Sequence, residues 1–399
     1  MTSAGPQRQG EPSLAYCTIV ARNYLPQAAA LHASVMTHEP HRPLFVLVVD
    51  DGPDLNVDLR IVGPDFLPIS RREFLRWAAM YDVVELCTAL KPMFLATLLQ
   101  GFDQVVYLDP DTFMVSPLAE LPDLLAEHSI LLTPHFLEAI APGSQLLSEA
   151  HSLTVGAYNL GFCAVSRRAK PFLDWWHERL RFECLKYPLL GMFVDQKWMD
   201  VGSVLFGAHA LRHYGYNVGT WNTHERPIEC RDGYVVATAA GDVPLRLFHF
   251  SGFDPEDPTE LSSRLGFSTS DFRSGEGIDR LCREYSDAVI EGRADVGVAP
   301  TYGFARDSRG KRMTTRLRRA YRAALLAGEE PPSAFDLDDR EAFRRWRRRA
   351  RKGVAKQAAL DVALAAKYAL PDEFEYAKKR FGFSRRLRAT LLEGPQIRR

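Results

Sequence analysis

Short apolar runs alternate with longer amphipathic stretches over the first two-thirds of the chain. Four of the runs predict buried strands because they are short and rich in β-branched or aromatic residues, whereas the stretches between them have helical spacing. In chain order, the strands are predicted within 14–22, 42–52, 105–108 and 129–135, and the helices within 28–36, 70–101 and 118–128. This alternation predicts an α/β fold: a Rossmann-like, mostly parallel sheet flanked by helices.

The stretch 70–101 is expected to be interrupted near Leu90 by the Lys91–Pro92 pair, because proline lacks an amide donor and disfavours a helix interior. From about residue 256 the strand pattern ends, and the segments 277–293, 301–332 and 343–374 are helix-prone and basic. Three parts are therefore predicted. They are a polar, disordered leader at 1–12, an α/β domain at 13–265 and a helical, basic C-terminal extension at 266–399.

The formal net charge is zero, but the charges are distributed unevenly. Residues 301–399 hold 26 Lys and Arg against 12 Asp and Glu, so the rest of the chain is acidic. A basic helical extension is typical of a solvated helix face, of contact with an anionic membrane surface, or of nucleic-acid binding. The arginines follow no DNA- or RNA-module pattern, which argues against nucleic acid.

The remaining composition is that of a globular cytoplasmic protein. No apolar run approaches the ~20 residues that span a bilayer, and the first residues lack the apolar core of a secretory signal. The six cysteines have no Cys-x-x-Cys spacing, so neither a disulfide scaffold nor a zinc site is indicated. We expect a cytoplasmic location, with the extension offering peripheral contact at the inner face of the membrane.

Candidate chemistry begins with the segment VVYLDPDTFM at 105–114. Pro110 should end strand pairing, which places Asp109 and Asp111 at the carboxyl end of a buried strand, where ligands bind in such sheets. Two neighbouring carboxylates are costly unless they are solvated or share a cation. The alternative is that they only cap a turn or a helix. Asp50 and Asp51 end another strand, where a hairpin-like turn is expected.

Further motifs follow in a fixed order. After Lys91 and the DPD segment come YNLGFCAVS at 158–166, VDQKWMDVG at 194–202, YNVGTWNTHERP at 216–227 and LFHFSGFDP at 247–255. Together, over residues 14–255, these motifs resemble the retaining glycosyltransferases of the GT-A fold. The resemblance is greatest to family 8, which includes glycogenin and bacterial galactosyltransferases.

The resemblance implies a divalent cation, Mn²⁺ or Mg²⁺, on the diphosphate of a nucleotide-sugar. Its ligands would be Asp109 and Asp111, which match the family's DxD motif, and His249, which matches its C-terminal histidine. Carboxylate and imidazole ligation also suits these metals by its chemistry. The family's Lys-Pro-Trp motif after the histidine is absent, because Asp254–Pro255 stands there. His249 alone would equally suit a hydrogen-bonded core histidine.

The same resemblance implies the donor-binding and catalytic residues. The donor-binding set is Ala21, Arg22, Asn23, Tyr24, Lys91, Asp109 and Asn159. Asp195 and Gln196 match positions that line the sugar, where a carboxylate or amide oxygen would stabilise an oxocarbenium-like transition state. Asp195 would otherwise cap a helix, and Asn159 would otherwise only stabilise a turn.

A polar and aromatic cluster supplies acceptor-binding candidates, because such side chains stack on sugar rings and bond hydroxyls. It comprises Trp221, Asn222, His224 and Glu225, and an ordinary loop cluster is the alternative. The function implied is transfer, with retention, from a nucleotide-sugar to a glycan, lipid-linked or small-molecule acceptor. A UDP-sugar is the donor that the resemblance favours.

Three other functions are weighed against this one. A haloacid-dehalogenase-type phosphatase needs Thr or Val where Phe113 stands. A nucleotidyltransferase needs a Gly-rich phosphate loop, whereas the segment 20–29 has no glycine. A non-catalytic carbohydrate-binding protein on the same fold remains an alternative.

Overall fold

The computed structural model describes residues 12–52, 58–140, 149–262, 267–268, 275–296 and 301–381. Residues 1–11 of the predicted leader lie outside this part of the chain. The described residues pack into two compact units. The first unit is drawn from Met1–Pro68, Cys87–Arg181 and Asp195–Gly303. The second is drawn from Ile69–Leu86, Phe182–Val194 and Phe304–Arg399.

A seven-stranded sheet forms the centre of the first unit. Its strands are β1 (Leu14–Val20), β2 (Leu44–Val48), β3 (Arg60–Val62), β4 (Gln104–Leu108), β6 (Ile130–Pro134), β7 (Tyr158–Ser166) and β10 (His209–Ala210). They are ordered β10-β6-β7-β4-β1-β2-β3. All pairs are parallel except those that β7 makes with β4 and β6. The predicted α/β fold with a mostly parallel sheet is confirmed.

Helices alternate with these strands along the chain and continue into its C-terminal part. The first eight are α1 (Leu25–His38), α2 (Arg71–Met80), α3 (Val83–Leu98), α4 (Leu121–Glu127), α5 (Ala150–Val155), α6 (Lys170–Glu183), α7 (Met199–Phe206) and α8 (Gly275–Val296). The last four are α9 (Thr315–Leu326), α10 (Arg340–Arg349), α11 (Arg351–Ala369) and α12 (Pro371–Phe381). Among the described residues, none of the helices is both long and apolar enough to cross a membrane.

The helix break predicted near Leu90 is wrong, because α3 runs through Pro92 without interruption. The break lies instead between α2 and α3. There the Asp82 amide donates to the Glu85 carboxylate (3.2 Å) and the Glu85 amide donates to the Asp82 carboxylate (3.0 Å). This reciprocal capping starts a new helix at Asp82.

The remaining strands form small sheets. They are β5 (Thr112–Met114), β8 (Lys186–Tyr187), β9 (Met192–Phe193), β11 (Val218–Gly219), β12 (Ile228–Arg231), β13 (Gly233–Thr238), β14 (Gly241–Pro244), β15 (Leu247–His249), β16 (Glu260–Ser262) and β17 (Phe267–Ser268). The sheet β11-β15-β5 is the one that matters for the candidate site.

Two apolar clusters stabilise the first unit. One fills the space between the sheet and α1, with Tyr16, Leu31 and Phe162 fully buried. The other packs α8 near the small sheets, and in it Phe250 stacks on Tyr285 at a centroid distance of 3.9 Å. At Gly292 a side chain would begin 2.8 Å from the Pro26 carbonyl oxygen, so glycine allows α8 to approach α1 closely.

Buried arginines of α9 organise the second unit. Arg319 pairs with the Glu85 carboxylate (Nη1–Oε2 3.0 Å), and Arg318 donates to the Tyr81 carbonyl oxygen at 2.6 Å. Tyr187 donates to Asp361 at 2.6 Å, which connects β8 to α11. Helix α8 belongs to the first unit. The domain boundary predicted near residue 265 stays a prediction.

Candidate metal centre

The small sheet β11-β15-β5 brings His249 to the two aspartates. Strand β4 ends at Leu108, the chain turns through Asp109–Pro110–Asp111, and β5 begins at Thr112. Strand β15 pairs antiparallel to β5 with His249 opposite Thr112. The Phe250 amide then donates to the Asp111 carbonyl oxygen at 2.7 Å. Backbone pairing therefore positions an imidazole beside carboxylates that are distant in sequence.

Asp109, Asp111 and His249 each offer one ligand atom, and these atoms lie within 4.8 Å of one another. His249 Nε2 is 3.2 Å from an Asp111 oxygen and 3.9 Å from an Asp109 oxygen. The imidazole is buried, whereas the carboxylates retain 28% and 15% exposure. Burial lowers the pKa of His249, but Asp111 and then Asp109 outweigh it, and the pKa is raised. Two carboxylates and an imidazole fit a hard divalent cation.

Three residues around this triad were not singled out from the sequence. Tyr107 donates its hydroxyl to Asp109 (2.8 Å). Asn217 Oδ1 is 3.1 Å from His249 Nδ1. Gly161 lies against the imidazole so closely that a Cβ there would be 2.3 Å from it. Gly161 and Asn217 belong to the motifs YNLGF and YNVG, but their contacts with His249 form only in the folded chain.

Lys91 is 1% exposed and lies beneath the carboxylates. Its ammonium is 3.0 Å from Asp195, 3.4 Å from Asp109 and 2.9 Å from the Leu160 carbonyl oxygen. It also lies 4.2 Å from the centre of the Tyr107 ring. Burial lowers the pKa of Lys91, but Asp109 and Asp195 outweigh it and hold the pKa above its ordinary value. The structure therefore gives Lys91 a carboxylate-pairing role, and its predicted donor contact stays a prediction.

Asp195 and Gln196 begin a short 3-10 helix, and both are buried. The Gln196 amide is occupied by backbone: its oxygen accepts from Leu160 (3.1 Å) and its nitrogen donates to Val155 (3.1 Å). Asp195 is the one whose carboxylate meets Lys91. Val194 before it has φ 43°, which is strained for a β-branched residue and is typical of functional sites.

The remaining donor-binding candidates lie along the carboxyl edge of the sheet. Asn159 accepts from the Gly161 amide at 2.9 Å and from Asn217 at 3.1 Å. The segment Ala21–Tyr24 follows β1, and the Arg22 amide donates to Asp50 at 2.8 Å. Asp50 also accepts from the Gly303 amide at 2.8 Å. The hairpin-like turn expected at Asp50 is wrong, because β2 pairs with β3 in parallel.

The acceptor-binding candidates divide into two groups. The first group organises the backbone around it. Asn222 is fully buried and its side-chain oxygen accepts from the Gly219 amide at 2.9 Å. The Glu225 carboxylate accepts from the amides of Leu137 (3.0 Å) and Glu138 (2.8 Å). The ring of Trp221 meets His249 edge to face at 5.1 Å. His224 is the more exposed member and lies beside Phe136.

The chain is similar to a curated protein of Bacillus. Over 256 residues, the chain is 30% identical to the uncharacterized protein YfnF of Bacillus subtilis (strain 168), and the match covers 60% of this chain and 81% of YfnF. The chain belongs to the YfnF family. No family model matches the chain.

Glycosyltransferases are among the solved structures that match the chain. The bifunctional glycosyltransferase WbbM matches with a TM-score of 0.40 and 13% identity over 73% of this chain, which spans only 51% of WbbM. GlyE of Streptococcus pneumoniae TIGR4 matches with a TM-score of 0.39 and 13% identity, covering 71% of this chain and 64% of GlyE. The galactosyltransferase LgtC matches with a TM-score of 0.35 and 14% identity, covering 72% of this chain and 97% of LgtC.

Proposed function

We propose that the protein is a metal-dependent glycosyltransferase that moves a sugar from a nucleotide-diphosphate sugar to an acceptor. The observation that carries this proposal is the convergence of Asp109, Asp111 and His249 at the end of β4, beside the buried Lys91–Asp195 pair. Two carboxylates and an imidazole are suitable ligands for a metal ion, and the carboxylates are partly exposed. They also lie at the carboxyl edge of a mostly parallel sheet, where phosphate-containing ligands bind.

Asp109, Asp111 and His249 would hold the cation, and their chemistry favours Mn²⁺ or Mg²⁺. When bound, the cation would supply stabilisation for the negative charge that develops on the departing nucleoside diphosphate. Tyr107 fixes Asp109 by its hydroxyl bond, so one carboxylate is oriented before any ligand arrives. A carboxylate that is already oriented needs little reorganisation when the cation binds.

Lys91 and Asp195 would act on the sugar side. Burial raises the pKa of Asp195, and the Lys91 ammonium 3.0 Å away partly offsets this effect. In its ionised form, the Asp195 carboxylate would stabilise positive charge on the anomeric carbon as the sugar–phosphate bond breaks. Ala21–Tyr24 and Asn159 would contact the donor, and Trp221 and His224 the acceptor.

Donor hydrolysis tests the proposal directly. UDP-sugars are offered with Mn²⁺ or Mg²⁺, in the presence or absence of chelator, to the native chain and to Asp111→Asn. Asp174→Asn is the matched control, because Asp174 lies on the surface of α6 in a pair with Lys170. We expect metal-dependent turnover in the native chain and the control, and its loss in Asp111→Asn. Full activity in chelator would refute the metal mechanism, and absence of turnover with every donor would favour the non-catalytic alternative.

The stereochemical outcome is part of the proposal. The resemblance to family 8 predicts that an α-linked donor gives an α-linked product, with Asp195 as the carboxylate proposed to act on the sugar side. Proton NMR of the new anomeric centre measures this. A β-linked product would contradict the roles given to Asp195 and Gln196.

A glycan or a lipid-linked sugar is the acceptor class proposed, with peripheral contact to an anionic membrane through the basic C-terminal segment. Arg345, Arg348 and Arg349 are exposed on α10 and offer one such basic surface. Reversing these three charges should abolish salt-sensitive co-sedimentation with anionic vesicles and leave donor hydrolysis intact. Equal sedimentation of both proteins would reject the membrane contact. A cytoplasmic location stays a prediction.

A further inference from the structure

The neighbours of Asn217 determine which end of its side-chain amide is the NH₂ group and which is the oxygen. Its nitrogen lies 2.7 Å from the Thr133 hydroxyl, 3.1 Å from Asn159 Oδ1 and 3.2 Å from the Asn159 carbonyl oxygen. The Asn159 carbonyl is an acceptor only. Asn159 Oδ1 must also be oxygen, because the Gly161 amide donates to it at 2.9 Å. The atom of Asn217 that faces both is therefore the NH₂ group.

It follows that the other atom of the Asn217 amide, which faces His249 Nδ1 at 3.1 Å, is the oxygen. An amide oxygen only accepts, so Nδ1 of His249 must carry the proton. The lone pair of a neutral His249 is then on Nε2, the nitrogen that lies 3.2 Å from Asp111. If the Asn217 amide were flipped, its oxygen would face two hydrogen-bond acceptors of Asn159 in a buried site, which is unfavourable.

The backbone holds Asn217 for this task. Asn217 is 1% exposed and has φ 51°, a left-handed conformation that asparagine tolerates better than most residues. The next residue starts β11, which pairs with β15 so that Gly219 lies opposite His249. The same small sheet that supplies the histidine thus also fixes the residue that faces its ring.

We propose that Asn217 is a positioning residue that sets the tautomer of His249, so that Nε2 presents a lone pair to a divalent cation. The inference rests on the metal site of the proposed function and adds to it the residue that orients the imidazole. Hydrogen bonds of this kind to a ligating histidine change metal affinity by about 10–100-fold when they are removed.

Mn²⁺ binding tests the inference without any turnover. Free Mn²⁺ is measured by electron paramagnetic resonance in titrations of the native chain, Asn217→Gly and Thr133→Val. Glycine accepts the positive φ, so the backbone is preserved. Thr133→Val is the matched control, since it removes one hydrogen bond to Asn217 but leaves the His249 contact. We expect Asn217→Gly to weaken Mn²⁺ binding by at least about tenfold, and Thr133→Val to stay within about twofold.

Asp111→Asn is measured beside Asn217→Gly, so that failure of the metal site and failure of the Asn217 role give different results. If Asp111→Asn binds like the native chain, the metal site itself is refuted. If Asp111→Asn loses Mn²⁺ but Asn217→Gly does not, only the role of Asn217 is overturned.

The tautomer is also read directly in the protein saturated with Mg²⁺, which is diamagnetic. Long-range proton–nitrogen NMR correlations of a ¹⁵N-histidine sample show which ring nitrogen of His249 carries the proton, without competition from an Nε2–H bond to the Asp111 carboxylate. His249→Gln identifies the resonance by its loss. We expect the Nδ1-protonated form in the native chain and in Thr133→Val, and a mixture in Asn217→Gly. An Nε2-protonated His249 in the native chain would overturn the inference.

Discussion

Gly161→Ala should damage the metal centre although it adds only one methyl group. A Cβ at this position would lie 2.3 Å from the His249 ring and 2.9 Å from Asn159 Oδ1. Ordinary contacts begin near 3.4 Å, so a displacement of about 1.1 Å is required. His249 is only 4% exposed, so its ring is packed among neighbouring residues.

Both ways of relieving the clash disturb the triad. If the imidazole moves, it leaves Asp111. If β7 moves instead, it draws away the Gly161 carbonyl oxygen, which accepts from the Asp109 amide at 2.8 Å. Metal–ligand distances tolerate only about 0.2 Å. We therefore expect Mn²⁺ affinity to fall at least about tenfold, and overpacking to lower the free energy of unfolding by about 1–3 kcal/mol.

Urea unfolding and Mn²⁺ titration measure the two effects separately. Gly101→Ala is the control, because the nearest atom to its added Cβ is 3.8 Å away. It should keep native Mn²⁺ affinity. If Gly161→Ala binds Mn²⁺ like the native chain, then the His249 ring is not held against Gly161, and a ligand role for His249 in this position is refuted.

Three further predictions concern charged side chains that are paired in the structure. Lys91→Met leaves Asp195 buried and unpaired and should cost about 3–5 kcal/mol in urea unfolding, with partial recovery when Asp195→Asn is added. Arg319→Met should lower the free energy of unfolding by a similar amount, because it leaves the buried Glu85 carboxylate without its ion-pair partner. Native stability of this variant would show that the Arg319–Glu85 pair is dispensable. Burial raises the pKa of Glu120, but its hydrogen bonds from Arg246 and Tyr216 outweigh this and lower it. The ionised Glu120 carboxylate therefore stabilises the fold above its ordinary pKa near 4.5, and this contribution is lost as the pH falls through the lower pKa of the folded state. Between pH 6 and pH 3, the free energy of unfolding measured in urea should fall less for Glu120→Gln than for the native chain. Parallel losses in both proteins would contradict it.

Local sequence determined the elements that carry the site. The apolar run before Asp109 and the proline after it specify a buried strand that stops where carboxylates begin, since both effects act within a few residues. The helix break shows the limit of such local signals. Pro92 predicts a break within the segment 70–101, whereas the Asp82–Glu85 capping pair places the break ten residues earlier, at the start of α3.

Residue types and their order also indicated which side chains would form a metal centre, but not how they are held. Only tertiary structure decided that His249 reaches Asp111, because that contact depends on the register between β15 and β5. The burial of Lys91 and the hydrogen bonds of Asn217 depend on chain segments far apart in sequence. Such contacts have no local signature, because their energy is gained only when the sheet is assembled.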